Sequence, residues 1–256
     1  MNYCKRCVMP DTRPGIKFNE NGVCYPCLNA EKRKETDWIK RQEELKNLCN
    51  KYRRDDGYYD CVIPVSGGKD SHFQTYIMKE VFKMNPLLVS VGDWFSHTKV
   101  GEHNLRNNSE AFGCDLIRFN TNPQTLRKII RIFFEEYGSP TWPIDLAIYS
   151  VPLKIAYSLN IPLIVYGENI AYEYGGPEAK DTYSAKEQIK NDVVKEIDWD
   201  WLFKKGVERK EIEFIKYPSV EIVESLEPIY LSYFYPWDGK KNYHFAKRFG
   251  FRDSGN

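Results

Sequence analysis

Apolar positions along this chain fall into short runs separated by stretches of helical period. Tyr58 to Val65 reads YYDCVIPV, a run too short for a buried helix and suited to a strand covered on both faces. It stops at Ser66, and a helical pattern follows through Met84. Pro86 to Gly92 predicts a second strand, about Lys99 to Gly113 a helix, and Asp115 to Phe119 a third strand. Helices are predicted within Gln124 to Tyr137 and Asp145 to Leu159, then a fourth strand over Pro162 to Tyr166. Alternation in this order predicts an α/β fold, a doubly wound parallel sheet with ligands at the carboxyl ends of its strands. Ser66 to Ser71, Asp93 to Thr98 and Gly167 to Asn169 all fall at such ends. Pro64 is expected where strand pairing is already being lost.

Before the first strand, Glu31 to Arg54 is highly charged, with Trp38, Ile39, Leu45 and Leu48 spaced for one face of a solvated connecting helix. Beyond Asp181 the chain is alternately charged and aromatic. The resulting division is 1–33, a small cysteine-bearing knuckle; 34–57, the connecting helix; 58–180, the sheet domain; and 181–256, an aromatic-rich C-terminal extension. A length of 256 residues suits one large domain with an appendage. Apolar residues at 42% supply a sizeable core and exclude global disorder. A net charge of +1 argues against a nucleic-acid partner gripped by a whole-surface basic field. The first 56 residues hold 13 Lys or Arg against 9 Asp or Glu, too small an excess to change that. MNYCKRCVMP has no apolar signal core, and Pro152, Lys154 and Pro162 interrupt the most apolar stretch, Leu146 to Gly167. The expectation is a cytoplasmic protein with no membrane span, whose seven cysteines are ligands, core or catalysts rather than disulfides.

Four of those cysteines form one pattern. Cys4 and Cys7 are two residues apart, as are Cys24 and Cys27, with sixteen residues between the pairs. Two such turns close a tetrahedral four-thiolate shell around structural Zn²⁺, with no open position for catalytic water. Asn21 and Gly22 supply a turn before the second pair, and Pro10 and Pro14 break the segment between. Cys49, Cys61 and Cys114 read as buried apolar residues. His97 and His103 read as solvated or capping side chains.

Ser66, Gly67, Gly68, Lys69, Asp70 and Ser71 join the first strand to its helix. Glycines bring backbone N–H groups close to a phosphate, the helix start adds a positive dipole end, and Lys69 adds a full charge. The run has neither the Walker A spacing nor the Gly-x-Gly-x-x-Gly dinucleotide fingerprint. SGGKDS resembles the pyrophosphate loop of the adenine nucleotide alpha hydrolase superfamily, the HUP/PP-loop N-type ATP pyrophosphatases. That resemblance implies ATP cleavage between the α and β phosphates, with AMP passed to a substrate oxygen. It places pyrophosphate on Ser66, Gly67, Gly68 and Ser71, with Lys69 neutralising it and Asp70 helping to place Mg²⁺. Asp93 is a candidate for adenosine or metal, Glu168 for catalysis and Asn169 for substrate.

Nearly end to end, the chain is similar to the N-acetyl sugar amidotransferase family of surface-polysaccharide (lipopolysaccharide, O-antigen) biosynthesis. The matching blocks are YCKRCVMPDTRPGIKFNENGVCYPC, VIPVSGGKDS, GSPTWP (138–143), YGEN (166–169), YPWDG (235–239) and AKRFGF (246–251). The resemblance implies that ATP and ammonia turn the acetamido group of a nucleotide-activated sugar into an acetamidino group. With no glutaminase domain here, ammonia is expected from a separate class I glutaminase subunit with a cyclase-like barrel subunit. The resemblance implies members that continue past the position of Asn256, with any substrate contacts of that region expected beyond the blocks matched here. Most C-terminal aromatics read as core, while Trp237 and Asp238, in a Pro-Trp-Asp-Gly turn, are candidates for substrate contact. Two alternatives stand beside this reading: a tRNA-modifying, thiolase-like pyrophosphatase, and a non-enzymatic zinc and nucleotide-binding adaptor.

Overall fold

Residues 1–13, 15–176, 180–187 and 197–253 are described here from a computed structural model. Pro14 and parts of the C-terminal segment lie outside them. Five strands form the sheet: β1 (Cys61–Pro64), β2 (Pro86–Gly92), β3 (Leu116–Asn120), β4 (Leu163–Tyr166) and β5 (Glu227–Tyr230). All pair in parallel, in the order β3-β2-β1-β4-β5. The order reverses at β1, which lies between β2 and β4, so the crevice past the ends of β1 and β4 is where a doubly wound sheet takes its ligand. Pro64 closes β1 opposite Val89, while pairing with β4 has already ended at Val62. The missing donor of proline therefore costs no ladder bond on that side.

Successive strand residues point to opposite faces and build two cores. Val62, Leu87, Val89 and Ile164 pack with Ile129 and Phe133 of α5 (Pro123–Tyr137), and with Val151 and Ala156 of α6 (Trp142–Ser158). Cys61, Ile63, Leu88, Leu163 and Val165 pack on the other face with Leu45 and Cys49 of α2 (Trp38–Tyr52) and with Leu105 and Phe112 of α4 (Lys99–Phe112). β1 and β4 are buried on both sides, which is why they read as unbroken apolar runs. Helix ends are set by side chains: Asn122 caps α5 through the amides of Gln124 and Thr125, and Thr98 caps α4 through that of Gly101.

Several expectations are corrected. The helix after the loop is α-helical only as α3 (Lys69–Tyr76), then widens into a π turn over Ile77–Val81. Ile39 is 84% exposed and off the buried face of α2, which is carried by Leu45 and Cys49. The sheet is not complete within 58–180, because β5 comes from the segment read as an extension. That segment also supplies α8 (Trp199–Lys204), α9 (Arg209–Ile212) and α10 (Val220–Glu224), α11 (Leu231–Phe234) after β5, and α12 (Gly239–Lys247), which packs on α3. At the N-terminus, α1 (Tyr25–Lys32) ends the knuckle and docks on α7 (Ile170–Tyr174), just past β4.

Candidate functional site

The SGGKDS loop leaves β1 at the reversal of strand order. Gly67 has φ +77°, and a Cβ there would stand 2.5 Å from the Leu105 amide nitrogen of α4. Only glycine meets both conditions. The Ser66 amide donates to Ser71 Oγ at 3.0 Å and the Gly68 amide to Ser66 Oγ at 3.3 Å. Gly68 has extended geometry and opens α3, so the amides of the first turn of that helix lack intrahelical partners. The result is a cluster of N–H donors at a positive dipole end, fit for a phosphate group.

Lys69 Nζ pairs with Asp70 Oδ2 at 2.5 Å, and Asp70 Oδ1 accepts from Asn242 Nδ2 of α12 at 2.7 Å. Gly239 lies against the Lys69 stem, where a Cβ would be 3.4 Å from Cε. Trp237 sits over Gly167, its ring atoms 3.1 Å from where a Cβ would be. Behind the loop, Gln74 Nε2 donates to the Val165 carbonyl at 2.5 Å, tying α3 to β4. His72 is fully buried, with Nδ1 3.0 Å from the Gly68 carbonyl and Nε2 2.9 Å from Asn107 Oδ1. A cavity of about 290 Å³ opens here, lined by Ser66, Asp70, Ser71, Gln74, Tyr149, Glu168 and Trp237 among others.

Glu168 is the second carboxyl of this cavity. Burial pushes its pKa up and the Asp70 charge adds to that, against Lys69 and the hydrogen bonds of Tyr174 and Trp237. Tyr174 donates to Glu168 Oε2 at 3.1 Å; its own phenol, pushed by burial and then by the Glu168 charge, rises to about 12 and stays a donor. Asp70 and Glu168 thus line the cavity, with Lys69 paired to Asp70 at its edge, an arrangement able to bind phosphate and move a proton.

The fold brings Ser66, Gly67, Gly68, Lys69, Asp70, Ser71, Glu168 and Trp237 together, and leaves three candidates elsewhere. Asn169 is buried at 4% exposure, its Oδ1 capping α7 through the Tyr172 amide and its Nδ2 donating to the Lys180 carbonyl. Its side chain is turned to α7 and the Lys180 carbonyl and is not part of the cavity lining. Asp238 caps α12, Oδ1 accepting from the amides of Lys240 and Lys241. Asp93 folds back on the amides of Phe95 and Ser96, both at 2.6 Å. Burial would raise its carboxyl, but the bonds from Ser96 and Phe95 hold it below the usual range. It lines a different cleft, not the loop cavity. His97 faces Glu102 at 3.3 Å and His103 the Gly250 carbonyl. Asn242, Gln74 and Tyr149 join the site unannounced: Asn242 through its bond to Asp70, Gln74 and Tyr149 by lining the cavity.

Cys4, Cys7, Cys24 and Cys27 bring their sulfurs within 4.8 Å of one another. Cys4 and Cys27 Sγ stand 4.0 Å apart, Cys7 and Cys24 Sγ 3.5 Å. Four sulfurs about 2.3 Å from one ion stand about 3.8 Å apart, so the four cysteines can hold a metal tetrahedrally. Burial opposes the Cys4 thiolate, yet amide donors at Cys24, Cys7 and Arg6 outweigh it and bring the thiol to about 6. The knuckle is fastened beside the cavity: Asn29 Nδ2 donates to the Tyr172 carbonyl at 3.0 Å, and Arg33 pairs with Glu173. Cys49, Cys61 and Cys114 are buried as expected, with thiols pushed up by burial. Among the described residues, no helix is long and apolar enough to cross a membrane.

No protein-family model matches the chain. It is 30% identical over 118 residues to an uncharacterized protein of Methanocaldococcus jannaschii, MJ1599, over 46% of this chain and 42% of that protein. The chain therefore spans less than half the length of that relative. Among solved structures, it is similar to the U34-tRNA thiolase NcsA of Methanococcus maripaludis, solved with its [4Fe-4S] cluster (14% identity, TM-score 0.42, 99% of this chain and 75% of that one). It is also similar to the NH3-dependent NAD synthetase of Campylobacter jejuni (14%, TM-score 0.40, 86% and 99%).

Proposed function

We propose that the chain is an ATP-dependent, AMP-forming amidotransferase of the carbon–nitrogen ligase type, acting on the acetamido group of a nucleotide-activated N-acetyl sugar. The observation that carries the ATP part is the SGGKDS loop at the reversal of strand order, with Gly67 held open against α4 and Lys69 and Asp70 at its lip. Support for the finer part is the way separate blocks of the family resemblance meet around one cavity. YPWDG brings Trp237 over Gly167 of YGEN and Gly239 against Lys69, and the cysteine knuckle abuts α7 directly after YGEN.

In this reading the amide oxygen attacks the α phosphorus and pyrophosphate leaves. Ammonia then adds to the activated carbon, and AMP departs with the oxygen, leaving an amidine. The loop amides and Lys69 bind the departing pyrophosphate, so most of the rate comes from positioning and charge stabilisation. Mg²⁺, when bound to Asp70 with Glu168 nearby, neutralises phosphate charge through hard oxygen ligands. As nitrogen adds it must shed a proton, and Glu168, with its raised pKa, is a stronger base for it than an ordinary carboxylate. The four-thiolate knuckle holds structural Zn²⁺. A class I glutaminase subunit with a cyclase-like barrel subunit supplies the ammonia, in the cytoplasm, for surface-polysaccharide biosynthesis.

The test is incubation with ATP, excess ammonium chloride and either a panel of UDP-linked N-acetyl sugars or bulk tRNA, followed by product mass. Sugar-dependent AMP, with a sugar lighter by the difference between O and NH, is expected. AMP that appears only with tRNA would assign the chain to RNA modification instead.

A further inference from the structure

A second and larger cleft, of about 710 Å³, opens between α5, the start of α6 and the Asp93–Thr98 turn. Two elements run through both openings. Val89 and Val91 of β2 line the loop cavity and Asp93, just past the strand, lines the cleft; Ile148 and Tyr149 of α6 line the loop cavity and Ile144 and Asp145 line the cleft. Those pairs on α6 are one helical turn apart, about 5.4 Å along its axis, so ligands in the two openings would be neighbours. The cleft walls are apolar, and two of the rings, Phe95 and Phe134, are left 53% and 59% exposed. Exposed aromatics gathered in one concavity mark a binding surface. Arg127 and Arg131, one turn apart on α5, also line it. Arg131 pairs with Glu135 at 2.9 Å, whereas Arg127 has no ion pair or hydrogen bond among the described residues. Of the two carboxyls here, Asp93 is engaged by its own turn and Asp145 accepts from Thr141 at 3.0 Å.

We infer that this cleft, not the loop cavity, holds the nucleoside diphosphate end of the proposed acceptor: its flat base against Phe95 and Phe134, its diphosphate on Arg127 and Arg131 at the rim, its esterified group directed past Ile144 and Ile148 to the loop cavity. Aromatic faces take a base by stacking, and guanidinium pairs take phosphate oxygens through paired N–H donors. The inference rests on the proposed transfer of AMP to a small acceptor. It moves substrate recognition away from Trp237 and Asp238, which pack over Gly167 and cap α12. Two arginines one turn apart at the rim of an open cleft span one diphosphate, whereas the extended backbone of an RNA strand needs a longer basic track.

Calorimetric titration with UDP, CDP and GDP, without ATP, tests it on wild type, Arg127→Ala/Arg131→Ala and Phe134→Ala, all surface changes. At least one diphosphate should bind, weakened about tenfold or more by the arginine pair, as loss of a charge-assisted contact implies, and less by Phe134→Ala. Binding of a non-hydrolysable ATP analogue should be unchanged in those variants and weakened about tenfold or more in Lys69→Ala. Overturning results are no diphosphate binding, binding indifferent to the arginine pair, or binding lost in Lys69→Ala. A single-stranded oligoribonucleotide competing at the same arginines with higher affinity than any diphosphate would also overturn it. Loss of ATP-analogue binding by wild type, with diphosphate binding intact, would instead count against the loop reading and leave the cleft standing.

Discussion

The SGGKDS loop and the cysteine knuckle both aim backbone amides at an ionic centre, yet they are held in opposite ways. The loop is framed by β1 and α4, whose Ile63 and Leu105 are buried, so its shape exists without a ligand. The knuckle has little core: Cys4 and Cys24 are buried, but Met1, Tyr3 and Val8 are 77%, 55% and 73% exposed. A segment that buries so little apolar surface is the kind that a metal held by its four cysteines would order. One site is shaped by the fold and the other shapes it.

The largest effect should come from breaking the second half of that contrast. Structural zinc in such knuckles is worth about 10–16 kcal/mol at neutral pH. Chelation or Cys24→Ser should therefore abolish amide-exchange protection across the knuckle, and weaken it in α7, which is tied to it through Asn29 and Arg33. Elemental analysis of the untreated protein should find zinc. Unchanged exchange after removal of the metal would show that the knuckle folds on its own contacts.

Gly67→Ala is the matching break in the loop. A non-glycine residue at φ +77° costs about 1–3 kcal/mol, before the clash with Leu105 is counted. The melting temperature should fall by about 2–4 °C for each kcal/mol lost, with metal content untouched. A melting curve identical to wild type would show that the loop is not held against α4.

Legibility in the sequence follows the same line. The four cysteines and SGGKDS were readable because each is a local pattern whose chemistry demands a fixed spacing. β5 was not: Glu-Pro-Ile-Tyr is four residues long with a proline inside, and it becomes a strand only because β4 offers a free edge beside it. Asp93, Asn169 and Asp238 have the right chemistry for a site, but their carboxyl or amide groups are taken by turns and helix starts, which composition does not disclose. Asn242 reaches Asp70 only through the packing of α12 on α3, a contact 172 residues apart in sequence.

A smaller effect sharpens the account of the cavity. Burial raises the Glu168 carboxyl above its ordinary 4.5, so in the pH range above 4.5 the folded protein holds more proton there than the unfolded chain. Stability contributed by the protonated form is complete below 4.5 and is lost as the pH rises through the folded value. Glu168→Gln should flatten that part of the stability curve, read as the difference in melting temperature between variant and wild type across the range. Parallel curves would place Glu168 in water rather than in the cavity.

The central claim is that this loop breaks ATP between its α and β phosphates. Its most direct test is the nucleotide product formed by wild type and Lys69→Ala under acceptor and ammonium saturation. Wild type should give AMP and pyrophosphate, and Lys69→Ala the same products at a rate lower by about 10²–10³, with unchanged melting temperature and zinc content. ADP and phosphate, or AMP formed at the same rate without Lys69, would contradict it.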